Sequence, residues 1–245
     1  MIKMFVISVV SLVLIGCGGD KWIVTEDTLT DPDGNTYTTV RIGNQIWTVE
    51  NLRTTKYACG TRIPHVTNKD EWSKLSTPAY CWYDNTSDTE FREKYGALYN
   101  WFVVNPSNQY SIAPKGWRVP TNEDWKTLQN HLIKNGYNWD GTTEGNKIGK
   151  ALASNGGEWR EDDNAGCIGN NQDSNNSSGF SALPGGYRYY YGHFYHVGYY
   201  GTWWSATENN ASHAWHRNLG HYNEYLGWHS YVKGWGFSVR LLRDN

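Results

Sequence analysis

Gly116-Trp117-Arg118-Val119-Pro120-Thr121-Asn122-Glu123-Asp124-Trp125 is the stretch from which the fold is read. Thr121 stands where a helix N-cap belongs, and Asp124 three residues later completes a capping-box pattern. Trp125, Leu128, Leu132 and Ile133 then fall on one face at helical spacing, and Asn135-Gly136 supplies the stop. Outward from this helix, Tyr95, Leu98, Tyr99, Phe102 and Val103 predict a shorter amphipathic helix over 93–104. A third helix is expected from Asn146 to Ala153, ended by Asn155-Gly156-Gly157. From Glu158 to Ser178 the chain is Asp, Asn, Gly and Ser with almost no apolar anchor, which predicts a long surface loop.

The two ends of the chain read as strands. Asp31-Pro32-Asp33-Gly34-Asn35, then Tyr37, Val40 and Ile42, Gly43-Asn44, and Ile46, Trp47 and Val49 predict hairpin strands joined by tight turns. The Asp-x-Asp-Gly-Asn string lacks the downstream glutamate of a calcium loop, so turn chemistry is the reading. Short aromatic segments follow Phe180 and Leu183, and residues 236–242 make a closing strand. Strands, helices, a loop and strands again give an α+β domain, and no repeat of solenoid period interrupts them.

Ahead of this domain, Lys3 precedes an apolar run from Phe5 to Ile15, broken by Ser8 and Ser11 and too short for a stable membrane span. Residues 1–16 are expected to be a signal peptide. Leu14-Ile15-Gly16-Cys17 resembles the lipobox of bacterial lipoproteins, so Cys17 is the expected site of lipidation. Residues 17–30 follow as lipidated cysteine and spacer, and 31–245 as the domain. Gly18 after Cys17, by analogy with lipoprotein sorting, favours the outer membrane, with the periplasmic or outer face open.

The net charge of −2 becomes about −3 without residues 1–16, and the charges are interspersed. A nucleic-acid binder would show a basic stripe, and none is present. Cys59, Cys81 and Cys167 remain after Cys17; export permits a disulfide, and Cys59 with Cys81 is the preferred pair because they flank one segment. The spacings include no C-x-x-C, which argues against structural zinc.

Three strings together carry a resemblance: residues 116–121 with Trp125; Gly179-Phe180-Ser181-Ala182-Leu183-Pro184-Gly185-Gly186-Tyr187-Arg188 with Trp204-Ser205-Ala206-Thr207-Glu208; and Gly236-Phe237-Ser238-Val239-Arg240. They resemble the Fibrobacter succinogenes major paralogous domain, a family of exported proteins of largely unassigned function, over about residues 31–244. More distantly the chain is similar to the formylglycine-generating, sulfatase-modifying branch of the C-type-lectin-like fold. That resemblance implies two main helices packed on twisted antiparallel strands, with a loop-rich C-terminal half presenting a ligand face. The late cysteine pair of the oxidase members has no counterpart after Cys167. The calcium signatures of sugar-binding lectins are also missing.

The stretch from Gly185 to Phe237 concentrates the aromatic residues and holds His193, His196, His213, His216, His221 and His229, out of eight histidines in all. Arg188, Tyr189, Tyr190, Tyr191, Tyr195, Tyr199, Tyr200, Tyr222, Tyr225, Trp228 and Tyr231 are the candidate ligand-binding residues. Rigid amphipathic rings among Gly, Asn and His have the composition of binding loops. Trp203, Trp204, Trp215 and Trp235 are assigned to the core. Ligand-binding proteins diversified on the same fold are similar in this stretch.

The two H-x-x-H pairs would ligate metal only on a helix, and the region reads as strands. Glu158, Glu161, Asp162, Asp163 and Asp173 could gather calcium, but a solvated polar loop is the expectation, and no cofactor is predicted. No nucleophile elbow surrounds Ser177, Ser178, Ser181 or Ser205, and no catalytic residue is assigned. The expected function is a lipid-anchored envelope module binding a glycan, peptide or protein. A divergent enzyme of the sulfatase-modifying fold and a structural subunit of a surface assembly are the alternatives.

Overall fold

The computed structural model describes residues 21 and 23–244. The expected signal peptide and the lipidation site Cys17 lie outside them. In chain order the elements are β1 (Ile23–Val24), β2 (Thr28–Thr30), β3 (Thr36–Ile42), β4 (Gln45–Thr48), α1 (Lys69–Trp72), β5 (Tyr80–Cys81), α2 (Thr89–Tyr95), β6 (Leu98–Tyr99) and α3 (Trp101–Val104). They continue with α4 (Asn122–Lys134), α5 (Gly149–Leu152), β7 (Gly185–Arg188), β8 (Phe194–Val197), β9 (Tyr200–Glu208), β10 (His213–Gly220), β11 (Gly227–Val232) and β12 (Leu242–Asp244). This is an α+β fold: β1-β2-β3-β4-β12 form one sheet, β11-β10-β9 a second, and β5-β6 and β7-β8 two ribbons. No helix among the described residues is long and apolar enough to cross a membrane.

Residues 236–242 stitch these sheets together. Gly236 bridges Arg188, Phe237 bridges Tyr99 and Ser238 bridges Trp203, while Leu242 bridges Arg118. Leu52 N–H donates to the Val239 carbonyl and Thr48 N–H to that of Leu241. Arg240 lies fully buried at the centre of this seam. It donates to Asn51 Oδ1 at 3.1 Å and to the carbonyls of Thr48, Phe180 and Ser181 at 3.0, 2.6 and 3.0 Å. Its guanidinium also sits 4.5 Å over the Phe180 ring. Four acceptors let a charge exist where water cannot reach it, and burial still lowers its pKa to about 9.

α4 forms as its sequence dictates. Asp124 N–H donates to Thr121 Oγ1 and Asp124 Oδ2 accepts from Thr121 N–H, a reciprocal cap that satisfies otherwise orphaned donors. Arg118 pairs with the same carboxylate at 2.6 Å. Trp125, Leu128 and Leu132 are buried, with the Trp125 ring 4.8 Å from Trp47 and 6.5 Å from Trp203. The β3–β4 hairpin turns on Gly43, at φ +62, followed by Asn44 with an ordinary φ, the type II′ arrangement that matches strand twist.

Four expectations need correction. The helix over 93–104 is broken: α2 ends at Gly96, and residues 98–99 extend to pair with β5 and Phe237 before α3 begins. Sheet pairing wins there because Leu98 and Tyr99 are sealed in the core from both sides. Residues 23–30 are not a free spacer, since β1 and β2 extend the first sheet and Leu29 is fully buried. The 158–178 segment is a loop with anchors: Trp159 and Ile168 are buried, and Lys150 Nζ donates to the carbonyls of Cys167 and Asn170. Finally, Cys59 and Cys81 are free thiols. Cys59 lies in a turn and donates to Thr61 Oγ1 at 3.3 Å, whereas Cys81 is shut inside β5, where burial pushes its pKa up to about 12.

Candidate functional site

Alternation along β9, β10 and β11 sorts their side chains onto two faces. Direct cross-strand pairing of His216 with His229, and of Asn218 with Thr202, places these residues together on one face with Tyr200 and Tyr231. Tyr187 from β7, His196 from β8, and Tyr222, Asn223 and Tyr225 from the β10–β11 connection wall off the space above them. Trp235 and Phe237 complete the lining of a cleft of about 370 Å³. Gly186 makes the approach of the β7–β8 ribbon possible: its φ is +65, and a Cβ there would sit 2.6 Å from the Tyr195 carbonyl.

Ring contacts fix the cleft wall. The His216 ring stacks on Tyr231 at 4.8 Å and 24°, and Tyr231 stacks on Trp235 at 4.5 Å and 16°. Tyr187 lies 5.1 Å from Trp235, and the Tyr200 and Tyr222 hydroxyls are hydrogen-bonded to each other. None of the lining residues is Lys, Arg, Asp or Glu. Burial first, and the neighbouring His229 next, hold the His216 pKa near 3, so the imidazole is neutral at physiological pH. Burial and the surrounding tyrosines push Tyr187 up to about 12, and Tyr200 also rises, so both phenols stay protonated. The cleft is therefore a space of ring faces, hydroxyls, amides and imidazoles without an acidic, lysine or arginine side chain.

Two of its polar side chains have unmet capacity. His216 is 2% exposed and Asn218 9%. His216 Nδ1 and Asn218 Oδ1 are sealed from bulk solvent and neither makes a hydrogen bond of ordinary geometry, although the His229 backbone interacts with the His216 imidazole. Leaving such an atom unsatisfied costs about 1–3 kcal/mol, so groups of this kind point to an occupant.

Of the residues expected from the sequence, Tyr200, Tyr222, Tyr225 and Tyr231 line the cleft. Tyr195 stands at its edge, 6.2 Å from Tyr187 and half exposed. Tyr189, Tyr190 and Tyr191 stack on one another in the β7–β8 turn, with Tyr189 4.5 Å from Trp235 and Tyr191 the most exposed. Tyr199 lies elsewhere, its hydroxyl bonded to Arg160 and its ring beneath that guanidinium at 4.8 Å. Arg188 is not a ligand group: fully buried, it donates to the carbonyls of Val66, Thr67 and Gly192 and covers the Trp72 ring at 4.3 Å. Trp228 is on the opposite face of the sheet, stacked on partly buried Trp215 at 4.6 Å. Trp203, Trp204 and Trp235 are in the core as expected, whereas Trp215 is not.

Tyr187, His196, Thr202, His216, Asn218, Asn223 and His229 belong to the cleft and were missed as site residues. Counting by twos from Tyr231 to His229, and from Tyr200 to Thr202, would have found two of them. Of the H-x-x-H pairs, His193 and His196 are both exposed, while His216 is buried and His213 only partly so. Among the described residues no group of three or more His, Cys, Asp or Glu is placed to hold a metal ion. In the long loop, Glu158 is engaged by Lys94 and Ser154, and Asp162 by Asn164.

A model of the Fibrobacter succinogenes major domain family matches residues 40–243. No curated protein and no solved structure matches the chain.

Proposed function

The chain belongs to the Fibrobacter succinogenes major domain family, and from that premise we propose that it is a cell-envelope binding module taking a neutral glycan segment into the tyrosine and histidine cleft. The observation that carries this reading is the pair of sealed atoms without an ordinary hydrogen bond, His216 Nδ1 and Asn218 Oδ1, in a cleft lined by no Lys, Arg, Asp or Glu. A sugar offers what such a surface lacks: hydroxyls that donate and accept, and apolar C–H faces that lie against rings. With no ion pair involved, affinity depends only weakly on salt.

The same reading takes the domain as a divergent C-type-lectin-like fold. Two features support it: the last strand, β12, returns to pair with β4 near the start, and the cleft lies in the C-terminal half. Lipidation at Cys17 would tether the module to the outer membrane and leave the cleft free. The exposed Tyr191 and Tyr195 beside the cleft favour a peptide or protein partner as the second reading.

The test is an array of neutral glycans probed with the protein and with Tyr222→Ala/Tyr225→Ala. Both residues are at least 41% exposed, so the fold tolerates their loss. Binding that disappears in the folded variant supports the reading, and equal binding by both proteins refutes it.

A further inference from the structure

The opposite face of the β9-β10-β11 sheet carries an anomaly of its own. Arg217 on β10 is only 5% exposed. Arg188 and Arg240, equally buried, spend their donors on carbonyl and amide oxygens. Arg217 has no such acceptor among the described residues, and its Nε is sealed and unpartnered. A guanidinium carries five donors, and burying it without an acceptor is costly. Burial lowers its pKa to about 10, with Glu123 only partly opposing the shift.

Arg217 opens onto a second cleft of about 370 Å³, bordered by Asn122, Glu123, Lys126 and Gln129 of α4 and by Trp228. Trp228 is 52% exposed, stacked on Trp215 and 5.6 Å from the Arg217 guanidinium, so the exposed part of its indole borders the cleft beside that charge. Asn122 Oδ1 is a sealed acceptor with no partner. Lys126 adds positive charge. Glu123 is the one carboxylate bordering this cleft; its side chain is 82% exposed and lies 3.9 Å from Lys126, so it competes from solvent without closing the site.

We propose that this cleft is a second ligand site, for a carboxylate-bearing sugar residue of an acidic glycan. The carboxylate pairs with the terminal nitrogens of Arg217 and with Lys126. The apolar face of the sugar lies on Trp228, and a hydroxyl donates to Asn122 Oδ1. The planar fork of arginine suits a carboxylate, and the tyrosine cleft on the other face has nothing equivalent. The proposal does not depend on what that other cleft binds.

Calorimetric titration of the full chain with glucuronate and galacturonate, against glucose as the neutral control, tests it. Uronate binding that weakens with salt is expected, together with a loss of about tenfold or more in Arg217→Met and in Trp228→Ala. Glu123→Gln should tighten binding, and Tyr222→Ala/Tyr225→Ala should leave it unchanged, which separates this site from the tyrosine cleft. Thermal unfolding of Arg217→Met, expected at or above that of the native chain, shows that the loss is not misfolding. The proposal is overturned if neither uronate binds, if native and Arg217→Met chains bind alike, or if N-acetylphenylalanine binds where the uronates do not.

Discussion

Protonating His216 places a charge on a strand residue that is 2% exposed, with its ring 4.8 Å from both Tyr231 and Phe237 and 5.9 Å from His229. Its pKa in the folded protein is near 3, against an ordinary 6.5. Because the folded value is the lower one, the unfolded chain takes up the proton first, and stability falls as pH drops below about 6.5. One such group contributes about 1.4 kcal/mol per pH unit, so acidification to about pH 4.5 removes roughly 2–3 kcal/mol. That is a large share of the roughly 5–15 kcal/mol that holds a domain together. The comparison is His216→Gln, which removes the titration and retains a polar group. His229, His221 and Arg217 remain in both proteins and cancel in the difference. Urea unfolding followed by tryptophan fluorescence at several pH values should show the native chain losing stability toward acid more steeply than the variant, by one proton. Parallel pH profiles would refute the reasoning.

Arg240→Met strips donors from Asn51 Oδ1 and three carbonyls and should cost about 3 kcal/mol or more in chemical denaturation; a loss under about 1 kcal/mol would contradict the seam described for residues 236–242. Thr121→Ala removes the N-cap of α4 and should cost about 1 kcal/mol by the same measurement. Alkylating the unfolded, non-reduced chain should label both Cys59 and Cys81, and a reductant should leave the unfolding midpoint where it was. Mass spectrometry that found the two unlabelled and joined would show a disulfide instead.

The elements read correctly from sequence were those in which local chemistry and tertiary packing agree. α4 has its cap, its apolar face and its stop written within a few residues, and the β3–β4 hairpin has its turn residues at the apex. Residues 95–103 carry helical spacing as well, yet Leu98 and Tyr99 are drawn into sheet pairing by partners at 80–81 and 237 that no local window contains. Residues 28–30 are too short to show a period, although the sheet buries Leu29 completely.

The aromatic wealth of 185–237 was legible in the sequence, but a strand has two faces, and one sequence does not say which meets a cleft. Trp228 is adjacent in sequence to His229 and opens onto the other side of the sheet. Arginines were the harder problem. Arg188 and Arg240 in the family strings, and Arg217 outside them, look alike in sequence. Two are satisfied by carbonyl oxygens contributed from distant segments and one is not. The structure makes the difference because all of those acceptors but Gly192 lie more than fifty residues away in the chain.

The most direct test of the glycan reading is the nitrogen resonance of His216, followed by NMR in protein carrying labelled histidine, as a neutral glycan selected on the array is added. The account predicts that the signal of Nδ1 moves with ligand occupancy and saturates with the binding isotherm, because a sugar hydroxyl supplies its missing hydrogen bond. A glycan that binds tightly while the His216 signals stay still would contradict it.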